Sequence, residues 1–340
     1  STSRRQRQMC IRDRYMNWKQ TLFWSFSTAA IFYYFLLFGV FVFVGQEEMQ
    51  LFIPEWWYIR EFLFQPGGFC AVAGQWIIQY YRQPMSAVVL HTVLLVGCGF
   101  MVYRILRCFS DKTYLLFLSL LPVLYLVKMS IHGEYLVDGT VGVVLMLLAL
   151  SLSLKVRRAG SIAGYGIAST LFLCGLTGLL SVCYAFLYTL LALLRYKTSR
   201  QRLAAAACLI PALFIYLFSG WLGIPVPLSD GWMPEAYLEI QRLPHYYMYR
   251  VWTFFTLSIV GVALFARFVP VIGEKSKWMD RVALVVCLIT ALVSIRFCLP
   301  EPWHAQRMML DELSFLARER QWDAIIDKYR GKQILSLIHI

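Results

Sequence analysis

The chain has 340 residues, of which 59% are apolar, 16% aromatic and only 15% charged, with a formal charge of +13. Soluble domains carry about 25% charged residues, so this composition excludes an ordinary soluble globule and calls for lipid as part of the solvent. Inside a bilayer the backbone must satisfy itself in helices or a closed barrel, and unbroken apolar runs such as residues 21–45 lack the alternation of a barrel.

The N-terminus comes first. Arg4 to Arg14 read RRQRQMCIRDR, and Leu335 to Ile340 read LSLIHI. MCIRD followed by an Arg codon, and LSLIH followed by an Ile codon, look like translations of the two strands of one transposase sequencing adapter. Residues 1–14 and 335–340 are therefore expected to be adapter-derived, with the native stretch, 15–334, an internal piece of a longer reading frame. Setting aside Arg4, Arg5, Arg7, Arg12, Arg14 and Asp13 takes four positive charges off the total.

Residues 15–299 are predicted to form an all-α, polytopic transmembrane bundle of about nine spans. The apolar segments are 21–45, 85–103, 113–127, 139–154, 161–176, 178–194, 203–224, 251–266 and 282–299. The first is too long for a signal peptide and lacks a clear cleavage site, so it reads as an anchor helix. Residues 161–194 form one apolar run that, as a single helix, would reach about 51 Å against about 30 Å of hydrocarbon. A hairpin near Gly175 to Gly178 resolves this. Alternating the loops then puts fifteen basic residues on one side, against Asp111, Glu274 and Asp280. The opposite side carries nine acids before Pro300. The positive-inside rule makes the basic side cytoplasmic, so the basic excess has a topological cause and no nucleic acid partner is expected.

The exported loop at 46–84 reads QEEMQLFIPEWWYIREFLFQPGGFCAVAGQWIIQYYRQP. Trp56, Trp57, Tyr58, Trp76, Tyr80 and Tyr81 are residue types that favour the headgroup level. Two interfacial helices, broken at Gln65-Pro66-Gly67-Gly68, are the prediction. Glu47 and Glu48 follow the first span directly, where a carboxylate can act as general base or bind a metal; a solvated helix end is the alternative. His91, alone in the second span, reads as hydrogen-bonded within the bundle. His132, Glu134 and Asp138 share the next exported loop, where capping and solvation compete with catalysis. Arg250 belongs to the third exported loop, with Asp230, Glu235, Glu239 and His245. The cysteines show no CxxC and read mostly as core; Cys70 and Cys298 would both face the exported side, where a disulfide between them is the minor alternative. No cofactor motif is present, and a divalent metal is the one such group the carboxylates would admit.

After the last span, residues 300–334 change character. Leu310, Leu313 and Leu316, then Trp322, Ile325, Ile326 and Tyr329, follow helical spacing. They predict one exported helix-turn-helix unit that cannot bury its own apolar face, the beginning of a tetratricopeptide-like array.

QEEMQLF after the first helix, the QPGG turn, GQWIIQYY and ERQWDAII together resemble an uncharacterised family of polytopic bacterial membrane proteins, a domain of unknown function. The layout is more distantly similar to the GT-C membrane glycosyltransferases, in which an acidic pair after the first helix lies in a loop of interfacial helices. That resemblance implies a multi-pass protein of the bacterial inner membrane, N-terminus cytoplasmic and C-terminus periplasmic, working in cell-envelope glycan assembly. It further implies a sugar donor on a polyprenyl phosphate, Glu47 or Glu48 as the base, and Arg60 or Arg250 at the lipid phosphate. The acidic pair here lacks aspartate, and no downstream donor motif is evident. The alternative is a non-enzymatic scaffold whose exported repeats recruit envelope proteins.

Overall fold

The computed structural model describes residues 2–50, 52–110, 114–132, 135–178, 180–218, 246–273 and 302–330, with isolated positions between 285 and 300. The side chains of 2–17, 19, 49, 246–250, 253, 268–273 and 302–303 are outside that description. Every regular element among the described residues is helical.

Helix α1 (Thr2–Phe38) and α2 (Val40–Met49) form one bent rod. The ladder runs through the joint, Gly39 N–H donating to the Phe35 carbonyl at 2.8 Å and Phe43 N–H to the Gly39 carbonyl at 3.0 Å. The first apolar run thus stays helical beyond Gly45 and carries Glu47 and Glu48 in its last turn, until Gln50 turns extended at φ −127°.

The first loop holds α3 (Trp56–Leu63) and α4 (Gly68–Ile78), separated at QPGG as predicted. Gly67 has φ 88°, and a Cβ on Gly68 would lie 1.7 Å from the Phe62 carbonyl oxygen, so the turn admits only glycine at both places. Trp56, Trp57, Trp76 and Tyr80 are exposed, in keeping with an interfacial loop. Tyr81, however, is fully buried in the 3₁₀ turn Gln79–Arg82, and α4 packs against the bundle. The small residues Cys70, Ala71 and Gly74 let its backbone approach closely, which an interfacial helix would not need.

Next come α5 (Pro84–Leu106), α6 (Leu115–Ser130) and α7 (Val137–Ser153), with α5 packed on α6, α7 and α1. Helices α8 (Ala159–Thr177) and α9 (Leu180–Arg195) form the predicted hairpin. It turns at Gly178, whose φ of 63° and ψ of −136° suit a residue without a side chain. Helices α10 (Ser199–Ala206), α11 (Leu209–Leu217) and α12 (Tyr246–Gly273) complete the bundle.

Among the described residues four helical stretches are long and apolar enough to cross a membrane: Gln20–Phe38, Pro84–Leu106, Ala159–Thr177 and Ser199–Leu217. Leu115–Ser130, Val137–Ser153, Leu180–Arg195 and Phe254–Arg267 are apolar but shorter. The 16 residues of α6 rise about 24 Å, short of the roughly 30 Å of hydrocarbon. The expected ninth segment, 282–299, falls almost wholly outside the described residues, as does Cys298; Cys70 is a buried free thiol.

The basic segments meet at one end. Tyr196 Oη donates to the Val156 carbonyl at 3.0 Å, Gln201 Nε2 to that of Arg157 at 2.8 Å, and Arg195 to that of Leu154. A single helix over 161–194 would have held these two segments a membrane's width apart.

The tail forms α13 (Pro302–Arg318) and α14 (Trp322–Tyr329), reversing at Arg320, whose φ is 56°. Leu313, Leu316 and Tyr329 make a small core with Met309, Phe315 and Ile325. The expectation that this unit has nothing else to pack on is overturned, because α13 lies along α2. Phe315 meets Phe41 with ring centroids 6.0 Å apart, and His304 Nε2 donates to the Phe38 carbonyl at 3.0 Å. Trp322 and Ile326 remain exposed.

Candidate functional site

The end of the bundle away from the basic segments gathers the carboxylates. Helix α2 brings three consecutive side chains to it. Gln46 points inward, 1% exposed, and its Nε2 donates to the Tyr135 carbonyl at 3.0 Å. Glu47 and Glu48 point outward and share one cation: Arg318 Nη1 lies 2.9 Å from Glu47 Oε2 and 3.3 Å from Glu48 Oε1. The same guanidinium stands over the Phe315 ring at 5.5 Å. Two turns earlier on α13, Asp311 sits against Gly45, where a Cβ would meet its Oδ1 at 3.2 Å. Burial raises the Asp311 carboxyl to about 6; Glu48 adds to the rise and Arg307 opposes it.

The segment between α6 and α7 approaches from the other side. Tyr135 is buried, and its hydroxyl accepts from Thr140 Oγ1 at 3.4 Å. Asp138, in the first turn of α7, is 1% exposed, and its Oδ1 has no hydrogen-bond partner among the described residues. Asp138 thus stands at the helix start as expected, but buried, so the solvation reading is corrected. Helix α4 covers the carboxylate, and Gly74 provides the space: a Cβ there would fall 1.5 Å from Asp138 Oδ1. Deeper in, Tyr81 Oη and His91 Nε2 are 2.6 Å apart, and the His91 ring stacks on Phe43 at 4.1 Å and 10°. This matches the bundle hydrogen bond expected of His91 and explains why Tyr81 left the interface.

The chain matches the model of a family of unknown function over residues 14–338. It belongs to that family, DUF6057. No curated protein and no solved structure matches it. Membership agrees with the expected domain of unknown function, and it assigns no reaction to this DUF6057 chain.

Of the residues singled out from the sequence, Glu47 and Glu48 stand side by side, and Gln46 links their helix to the loop that carries His132 and Asp138. His132 is half-buried at the end of α6. Glu134 and the side chain of Arg250 lie outside the described residues, although the backbone at 250 is helical in α12. Arg60 is exposed on α3 and stands over Phe64 at 5.7 Å, so its observed partner is an aromatic ring. Sequence reasoning missed Arg318, Asp311, Gln46 and Gly74. Arg318 lies 271 positions from Glu47, and nothing in LARER marks it among its neighbouring charges. Gln46 adjoins the acidic pair, and an amide at the end of an apolar run was a usable signal for a buried interhelical bond. Among the described residues no group of three or more His, Cys, Asp or Glu is placed to hold a metal ion.

Proposed function

We propose that this DUF6057 protein is a multi-pass protein of the bacterial inner membrane, acting as a GT-C-like glycosyltransferase on the exported face. The observation that carries this reading is the Gln46–Tyr135 bond. It ties the helix bearing Glu47 and Glu48 to the loop bearing His132, Glu134 and Asp138, so acids far apart in sequence belong to one end of the bundle. In the reaction, Glu47 or Glu48 accepts the proton of an acceptor hydroxyl as that oxygen bonds to the sugar's anomeric carbon. The anomeric bond to the polyprenyl phosphate breaks, and the phosphate takes the electron pair; Arg60 or Arg250 meets its charge. A carboxylate at a membrane surface suits the base because the site is half-desolvated, yet open to an acceptor arriving from water. The cytoplasmic N-terminus and exported tail follow from the basic end lying opposite.

Purified protein in lipid nanodiscs, given a polyprenyl-phosphate sugar and acceptor glycans, tests this. Glu47→Gln or Glu48→Gln should slow transfer by about 10²- to 10⁴-fold, the usual share of a general base. Full transfer by the double variant sinks the reading.

A second reading, a scaffold whose tail recruits envelope proteins, is favoured by one observation: Arg318 already engages both glutamates. Partners that co-purify with the double glutamine variant, with envelope glycans unaltered, would support it.

A further inference from the structure

The two glutamates best placed for chemistry are held by the protein's own tail. From the geometry we infer that α13 is a latch, closing the Glu47–Glu48 pair by presenting Arg318 and opening when that guanidinium lets go. The word closing rests on the transferase reading; the docking itself does not.

Besides the Phe41–Phe315 ring contact, three polar contacts align the helix along α2. At its start His304 is bonded to the Phe38 carbonyl, in its middle Asp311 fills the notch left by Gly45, and at its end Arg318 bridges the carboxylates. The first two set the register. A Cβ at position 45 would meet Asp311 Oδ1 at 3.2 Å, so the aspartate would have to give by a few tenths of an ångström. Only the third touches the candidate site. A planar guanidinium is suited to this position because its fork can face two carboxylates at once, where an ammonium is a single point charge.

The grip is weak enough to be reversible. The three charged side chains are between 23% and 39% exposed, and ion pairs that wet shift an equilibrium by under twofold to about fivefold each. Among the described residues the helix is held by α2 and by its own partner α14. An open cleft lined by Arg82, Gln83, Pro84, Met85, Phe315 and Glu319 separates its C-terminal half from the start of α5. A helix fixed at its N-terminal end, clamped at its C-terminal end by exposed ion pairs and facing an open cleft there can swing with α14 without disturbing α5.

Hydrogen exchange of the full chain in nanodiscs reads the latch directly. In Arg318→Gln, amides of 312–318 should exchange about two- to tenfold faster, the combined range of two exposed pairs that share one cation. The Glu47→Gln/Glu48→Gln variant should show the same increase, and all three substitutions together no more. Arg318→Lys should recover part of the protection. Amides of α5 report on the bundle; if they also speed up, the unmodified protein in rising sodium chloride gives the same answer, since screening should loosen the tail, 312–318 included, and leave α5 unchanged. Carbodiimide coupling of an amine to Glu47 and Glu48 should rise severalfold in Arg318→Gln. Unchanged exchange at 312–318 in the variants and in salt, or unchanged carboxyl coupling, overturns the latch. Loss of transfer activity bears on the transferase reading and leaves these exchange rates untouched.

Discussion

Gln46 donates from Nε2 to the main-chain carbonyl of Tyr135 across 3.0 Å, joining residues 89 positions apart at the end of the bundle that carries the acids. Gln46→Leu keeps the apolar stem and removes the donor, leaving a buried carbonyl without its bond. Such a loss costs about 1–3 kcal/mol. Thermal unfolding in detergent should show a lower midpoint for Gln46→Leu than for the adjacent surface change Glu48→Gln. Equal midpoints would mean that the bond does not tie the two loops together.

Gly74 and Asp138 make a second test of the same end. The methyl of Gly74→Ala would fall 1.5 Å from Asp138 Oδ1 and 3.1 Å from its backbone. Destabilisation should reach or exceed ~3 kcal/mol, the upper part of the overpacking range. Asp138→Ala in the same chain should recover part of the loss, because it removes the carboxylate clash and leaves the backbone of residue 138 where it was. The pair of midpoints, single against double variant, checks this.

Asp311 sets a pH dependence of fixed sign. Its folded-state carboxyl is raised from 3.8 to about 6, so the folded protein holds the proton more tightly than the unfolded chain. The associated stability is complete below 3.8 and is lost as pH rises through about 6. Unfolding midpoints taken across that window should fall with rising pH, and Asp311→Asn should flatten the slope. A slope that survives the substitution assigns it to another group.

The hairpin turn offers a local check. Gly178 has φ 63° and ψ −136°, a conformation that a side chain opposes, so Gly178→Ala should cost on the order of 1–3 kcal/mol. Gly160→Ala, within α8 where a Cβ meets nothing within 4 Å, is the control and should be neutral or slightly stabilising.

What could be read in advance follows the range of the forces involved. The helical class, the QPGG break and the turn near Gly178 are local consequences of hydropathy, proline and glycine, and all three stand in the structure. The bonded state of His91 was legible because an imidazole deep in a span has few alternatives. The burial of Tyr81 and Asp138 was not, since the first depends on Phe43 of α2 and His91 of α5 and the second on α4 packing against α7, contacts between separate segments. The docking of α13 on α2 was hidden for the same reason: its apolar stripe was visible, but its partner lay more than two hundred residues away. The nine-span count is the coarsest expectation, because α6, α7 and α9 are shorter than the hydrocarbon thickness, and hydropathy alone does not say how a short helix sits in lipid.

The central claim is that Glu47 and Glu48 form a site at the exported surface, opposite the basic end of the bundle. In a background with the native cysteines replaced, Glu48→Cys and Lys197→Cys can each be treated with a membrane-impermeant maleimide, on intact spheroplasts and on inverted membrane vesicles. The account predicts labelling of Glu48→Cys on spheroplasts alone and of Lys197→Cys on inverted vesicles alone. Labelling of both positions from the same side, or of Glu48→Cys from inverted vesicles alone, would contradict it.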